Sequence, residues 1–228
     1  MALLPDWRPT VLSVSDGREF PVRHVWCVGR NYAEHAREMG SDPDKSDPVF
    51  FSKPASAIVQ AETIEWPPAT EDLHHEAELV VFLGKGGRDL SPEQAAECVF
   101  GYAVGCDLTR RDVQARAKAA GMPWALSKGF DQSGPVGLIV PADEWQPDDI
   151  RQIRLDVNGE RRQEAVLGDM IWAVGELLAA LSAEVTLHPG DAVFTGTPAG
   201  VAGLAVGDCV HLEIDGLSTL DFEIVPRR

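Results

Sequence analysis

The chain lacks most of the features that classify a protein at sight. Its four cysteines form no CxxC pair, and no apolar run approaches the roughly 20 residues that span a bilayer. Cys27, Cys98, Cys106 and Cys209 stand far apart, and apolar neighbours flank Cys27 and Cys98, so buried free thiols are expected rather than disulfides or a zinc site. Positive charge is scarce: 20 Lys and Arg against 36 Asp and Glu leave a formal net charge of −16. That balance argues against nucleic acid and against anionic membranes as partners. The stretch Gly84-Lys85-Gly86-Gly87 lacks the spacing and the Lys-Ser/Thr ending of a phosphate loop. No internal repeat, low-complexity tract or domain linker is visible. Residues 1–7 carry neither the basic residues nor the apolar stretch of a secretion signal, so a cytoplasmic location is expected.

What is present is ordinary in bulk and specific in detail. With 228 residues, 44% hydrophobic and 25% charged, the chain has the makings of one globular domain with a full core. Many short apolar stretches punctuated by Gly and Pro, with few helical patterns, indicate a β-dominated α+β fold. Ser15-Asp16-Gly17 predicts a hairpin between 10–14 and 19–22, and Asn158-Gly159 another between 153–157 and 160–163. Strands are expected at 25–29, 49–53, 79–83, 99–106, 136–141, 192–195, 209–214 and 218–225. Residues 61–72 read as extended loop, and the turn-rich 41–48 as a candidate lid. Ser91-Pro92 opens one helix, Thr109 another of about 12 residues, and Asp169 is expected to cap a well-buried helix over Met170–Ala183.

Several side chains carry chemistry. In His75-Glu76-Ala77-Glu78-Leu79 the two glutamates are two apart, on one face of an extended chain, where it enters an apolar strand. They are either solvated charges at a strand end or a pair compensated by a hard divalent ion. If 32–39 is helical, His35 and Glu38 are neighbours, as a general base and its orienting carboxylate or as an incidental surface pair. Lys128, among apolar and small residues, is a snorkelling surface lysine or a cation held in a pocket. The loop Thr195-Gly196-Thr197-Pro198-Ala199-Gly200 can present backbone N–H groups to an oxyanion or carboxylate. On so acidic a protein, an anionic substrate needs a local cluster of cations or a metal to hold it.

Five segments together resemble the fumarylacetoacetate hydrolase family: Val28–His35, His74–Leu79, Asp107–Gln114, Lys128–Phe130 and Thr195–Val201. The resemblance runs from about residue 22 onward. It implies a mixed β-sandwich roll at 22–228 behind a lead-in at 1–21, a homodimer, and Mg²⁺ or Mn²⁺ held by Glu76, Glu78 and Asp107. It also implies His35 and Glu38 as the water-activating dyad and Lys128 as a catalytic cation. Arg30, Arg111, Gln114 and Thr197 match substrate-binding positions. The central residue of the paired-glutamate motif is Ala77 rather than a larger aliphatic, and Gly129 follows the lysine, departures that bear on pocket shape.

The activity implied is hydrolysis of the carbon–carbon bond of a dicarboxylic 2,4-dioxo acid, fumarylpyruvate to fumarate and pyruvate, in aromatic (gentisate) catabolism. Acylpyruvate hydrolysis, oxaloacetate decarboxylation, and isomerisation or hydration of 2-oxo acids are the alternatives within the family. A non-catalytic binding domain would be expected to have lost part of the dyad or ligand set, and both are intact.

Overall fold

The computed structural model describes residues 8–38 and 47–228. The candidate lid at 41–48 lies outside the described residues except for its last two. Two β-sheets organise the chain. The first has six strands in the order Val140–Pro141, Val99–Cys106, Ala77–Leu83, Asp191–Phe194, His24–Gly29 and Val49–Lys53. The second has five, ordered Glu160–Val166, Gln152–Val157, Cys209–Ile214, Leu220–Val225 and Thr63–Glu65. The arrangement is the β-dominated α+β roll expected from the sequence.

Side-chain parity explains how the first sheet supports two cores. All seven residues of Ala77–Leu83 are buried. Leu79, Val81 and Leu83 face the second sheet and pack with Ile153, Leu155, Leu212 and Ile214, and with Leu177, Leu178 and Leu181 of the helix Val174–Glu184. Val80 and Phe82 point the other way. They join Val25, Cys27, Ala103 and Phe194 in a second core, covered by Leu12, Val14, Phe20 and Val22 of the N-terminal hairpin. A strand buried on both faces cannot alternate apolar and polar residues, which is why it reads as a continuous apolar run. By the same parity Glu76 and Glu78 belong to the Val80 face, and Asp107 to the Ala103 face.

The first sheet must also curl. Val49–Lys53 and Val99–Cys106 are four strand-to-strand steps apart, roughly 19 Å in a flat sheet. Yet Lys53 Nζ lies 2.8 Å from Asp107 Oδ1. The sheet therefore rolls over the second core and brings its outermost strand to the carboxylates.

Both expected hairpins form, with the second pairing Gln152–Val157 and Glu160–Val166. Ser91 caps Pro92–Ala96 in a reciprocal capping box with Gln94. All four cysteines are free, three of them buried. Other expectations need correction. Thr63–Glu65, read as loop, is a strand, because its buried Ile64 completes the core beside Ile224. Residues 136–141 form only a two-residue strand, Val140–Pro141, since the N–H groups before it go to separate partners, Gly137 to the Val104 carbonyl and Ile139 to the Ser13 carbonyl of the N-terminal hairpin. The helix expected from Thr109 starts at Arg111, because Thr109–Arg110 pairs with Leu73–His74. Asp169 caps no α-helix: it ends a 3₁₀ turn, and the helix begins at Val174, where Glu176 reaches back to the Ala173 N–H.

Candidate metal centre

Antiparallel pairing of Ala77 with Cys106 sets Glu76 opposite Asp107, and the Asp107 N–H donates to the Glu76 carbonyl at 2.8 Å. Glu78, one residue into the strand, follows on the same face. One carboxylate oxygen from each of Glu76, Glu78 and Asp107 lies within 4.8 Å of the others, and all three residues are buried.

Cations compensate two of the three. Lys128 Nζ donates to Glu76 Oε2 at 2.6 Å and to Asp107 Oδ2 at 2.8 Å. Arg111 donates through one terminal nitrogen to Glu76 Oε1 (2.6 Å) and through the other to Gln114 Oε1 (2.7 Å). Lys53 holds the remaining Asp107 oxygen as an ion pair, and also reaches Ser133 Oγ and the Lys128 carbonyl. Glu78 differs. Its Oε2 accepts from the Gly196 N–H at 2.7 Å, and no cationic side chain pairs with it among the described residues.

The electrostatics follow from this division. Burial pushes the Glu78 carboxyl well above the usual carboxylate range, and the charges of Asp107 and Glu76 push it further. Burial raises Glu76 too, but Lys128 and Arg111 outweigh it and hold that carboxyl far below the usual range. For Lys128, burial disfavours the charge, and Asp107 and Glu76 reverse the effect, so its ammonium is held charged.

Beside the triad, the helix Ala33–Glu38 places His35 and Glu38 one turn apart, with His35 Nδ1 3.1 Å from Glu38 Oε2. The Gly200 N–H lies 3.3 Å from the same oxygen. The helix and the glycine-rich loop are joined by Asn31. Its amide donates to the carbonyls of Thr195 and Trp172 and accepts from the Trp172 N–H. Gly196 has φ of +98°, and a Cβ there would meet the Asn31 Cβ at 2.7 Å, so only glycine fits. Gln163 ties the loop to the paired-glutamate strand. It accepts from His75 Nδ1 and the Ala77 N–H and donates to Thr197 Oγ1 and the Pro198 carbonyl. Burial brings His75 down to about 4, so it is a neutral donor in this network.

A match to the family model described as fumarylacetoacetate (FAA) hydrolase C-terminal spans residues 24–225. The chain belongs to the fumarylacetoacetate hydrolase family. Among solved structures, it resembles the fumarylpyruvate hydrolase of Pseudomonas aeruginosa in complex with Mn²⁺ and pyruvate, at 44% identity, a TM-score of 0.97 and complete coverage of both chains. Among curated proteins, it is 41% identical to a mitochondrial oxaloacetate tautomerase of Arabidopsis thaliana, over 89% of this chain and 91% of the relative. It is 39% identical to a mitochondrial oxaloacetate decarboxylase of Dictyostelium discoideum, over 90% and 95%.

In this family member a small cleft opens over the triad. Eight of the ten residues singled out from the sequence line it: Arg30, His35, Glu76, Glu78, Arg111, Gln114, Lys128 and Thr197. Asp107 lies beneath, closed off by the two lysines, and Glu38 stands behind His35, half-exposed. Arg30 sits at the rim with φ of +65°, a left-handed turn that ends the strand and swings Asn31 inward. Lys53, Lys118, Asn31 and Gln163 escaped the sequence reading. Lys118 alone carries a local signal, four residues on from Gln114 and seven from Arg111 on one face of their helix.

A hard divalent cation fits this donor set. All three residues offer carboxylate oxygens, and one of them, Glu78, is a buried acid facing two others with no cation of its own. Glu76, Glu78 and Asp107 could hold such an ion, with Lys128 standing where it now neutralises two of them.

Proposed function

We propose that this protein hydrolyses the carbon–carbon bond of a 2,4-dioxo acid, with fumarylpyruvate as substrate and fumarate and pyruvate as products. The observation that carries the reading is the His35–Glu38 dyad, present with its hydrogen bond and opening onto the same cleft as the carboxylate triad. Cleavage of this kind needs an activated water, whereas decarboxylation or tautomerisation of a 2-oxo acid does not. Full-length likeness to a fumarylpyruvate hydrolase supports the same reading.

A divalent metal, Mg²⁺ or Mn²⁺, held by Glu76, Glu78 and Asp107 would supply Lewis acidity toward the 2-oxo acid end of the substrate. Glu38 engages His35 Nδ1, which fixes the tautomer and leaves Nε2 as the basic nitrogen that takes a proton from water. Lys128 spends two of its three N–H groups on Glu76 and Asp107. The third is free to stabilise negative charge at the attacked carbonyl or on the departing enolate. Gln114 and the Thr197 loop orient the substrate, and the charges of Arg30 and Arg111 answer its distal carboxylate.

A second reading, oxaloacetate tautomerisation or decarboxylation, is favoured by the names of curated relatives at 39–41% identity. Decarboxylation would use the same triad with no attacking water, and tautomerisation would need a base to move a carbon-bound proton but likewise no water. Replacing His35 tests the dyad's part in hydrolysis. His35→Ala is expected to lower kcat for fumarylpyruvate roughly 10²-fold or more with little change in KM. An unchanged kcat would remove the dyad from the reaction and leave the second reading standing.

We also propose that the protein is a homodimer. Val49, Met122 and Leu126 are exposed apolar side chains beside the edge strand of the first sheet, where a second copy would cover them. Light scattering of the purified protein gives the mass directly.

A further inference from the structure

The cleft has an acidic floor and a basic rim. Glu76 and Glu78 lie at the bottom, and Arg30, Arg111 and Lys118 surround the mouth. Arg111, Gln114 and Lys118 fall at i, i+3 and i+7 of the helix Arg111–Ala119, so one stripe of that helix faces the cleft. The three do not have equal freedom. Both terminal nitrogens of Arg111 are already engaged, one by Glu76 and one by Gln114. Arg30 and Lys118 have no carboxylate within ion-pair distance among the described residues. The exposed Lys118 has its Nζ 5.3 Å from the Trp124 ring centroid, a cation–π contact that favours the ammonium at the rim.

We infer that Lys118, with Arg30, forms the subsite for the second carboxylate of a dianionic substrate, and so selects dicarboxylic over monocarboxylic 2,4-dioxo acids. This rests on the function proposed above and assigns its specificity. Loss of solvent, together with the neighbouring charges of Arg111 and Arg30, already disfavours the charged form of Lys118. Glu76 offsets only part of this, and an incoming carboxylate would relieve the rest, on a protein whose net charge is otherwise −16. Arg111, committed to the floor, adds its field without its hydrogen bonds.

The readout is a ratio: kcat/KM for fumarylpyruvate divided by kcat/KM for acetylpyruvate, which lacks the distal carboxylate. In Lys118→Met the ratio is expected to fall roughly tenfold, mainly through the KM for fumarylpyruvate, and Lys118→Arg should restore most of it. A fall of less than about threefold, or an equal loss for both substrates, would overturn the assignment. Should Lys118→Met fail to fold, Arg30→Gln and Lys118→Arg carry the same comparison. Calorimetric binding of fumarate and of crotonate, its monoanionic counterpart, to Mn²⁺-loaded protein tests the subsite without turnover. Fumarate should lose roughly tenfold more affinity than crotonate in Lys118→Met, and equal changes would overturn the subsite. If the wild-type protein hydrolyses neither acylpyruvate, the proposed function fails, and the binding comparison still decides whether Lys118 holds a carboxylate.

Discussion

Glu78 is buried between Glu76 and Asp107 and has one backbone N–H for company. Its neighbours decide the pH behaviour of the metal-free protein. The ordinary value of a glutamate is 4.5, and in the fold Glu78 is raised well above it, by burial and then by the adjacent carboxylates. The native state therefore binds a proton there that the unfolded chain has released. Metal-free stability falls as pH climbs from near 4.5 through the raised value. Glu76 has the opposite sign: its contribution is present above 4.5 and is lost in acid, as pH falls through its depressed value. Glu78→Gln should remove the first effect. Without metal at pH 8 the variant is expected to melt at or above the wild-type temperature, and to lose the upward shift that Mn²⁺ gives the wild type. A variant that melts lower and still responds to Mn²⁺ would contradict the assignment of Glu78 as a ligand.

At this scale the sequence was informative where spacing encodes geometry. Two glutamates two apart at a strand's entrance, and a histidine and glutamate three apart on a helix, are local patterns that survive folding. Lys53 was invisible for the converse reason. It ends an edge strand, before a proline, like many surface lysines, and only the curl of the sheet makes it a buried partner of Asp107.

Among elements, the glycine-rich loop and the strand that ends at Gly29 act as one support. The Asn31 side chain bonds both sides of the loop's approach, and Gly196 presses against it while directing its N–H at Glu78. The loop was expected to offer N–H groups to an oxyanion or carboxylate. The carboxylate that receives the Gly196 N–H belongs to the protein itself. Gly196→Ala forces a positive φ on a residue with a Cβ and drives that Cβ into Asn31, so the N–H must move off Glu78. Mn²⁺ affinity is expected to drop roughly 10- to 100-fold, read by calorimetry, as for other losses of groups that orient metal ligands. Affinity equal to wild type would mean the contact does not orient Glu78. Elements with two hydrophobic faces or a turn signature were legible. Those made by pairing with a remote partner, such as Thr63–Glu65 beside Leu220–Val225, were not, because nothing local marks them.

At the scale of the whole molecule, the six-stranded sheet rolls until its last strand, Val49–Lys53, meets the end of Val99–Cys106 at the carboxylates, with the Lys53–Asp107 pair as the closing contact. Both partners are fully buried, and removing the lysine leaves Asp107, among the described residues, with Lys128 alone, a cation it shares with Glu76. Because Lys128 still faces Asp107, Lys53→Met is expected to lower metal-free stability by about 3 kcal/mol in denaturant unfolding, the low end for a broken buried pair. Saturating Mn²⁺ should recover part of that loss, because the ion replaces some of the missing positive charge. A variant as stable as wild type without metal would show that the pair contributes nothing to closure. The family, and with it the roll, was readable from five short segments in order; the depth of the cleft and the cations around its mouth required the folded chain.

The central claim is that this scaffold carries out hydrolysis rather than a reaction of oxaloacetate. Side-by-side initial rates of the purified protein on fumarylpyruvate, acetylpyruvate and oxaloacetate, with Mn²⁺ or Mg²⁺ and again with EDTA, test it directly. kcat/KM is expected to be greatest for fumarylpyruvate, and EDTA is expected to abolish turnover. A kcat/KM dominated by oxaloacetate, or fumarylpyruvate hydrolysis that persists without metal, would contradict it.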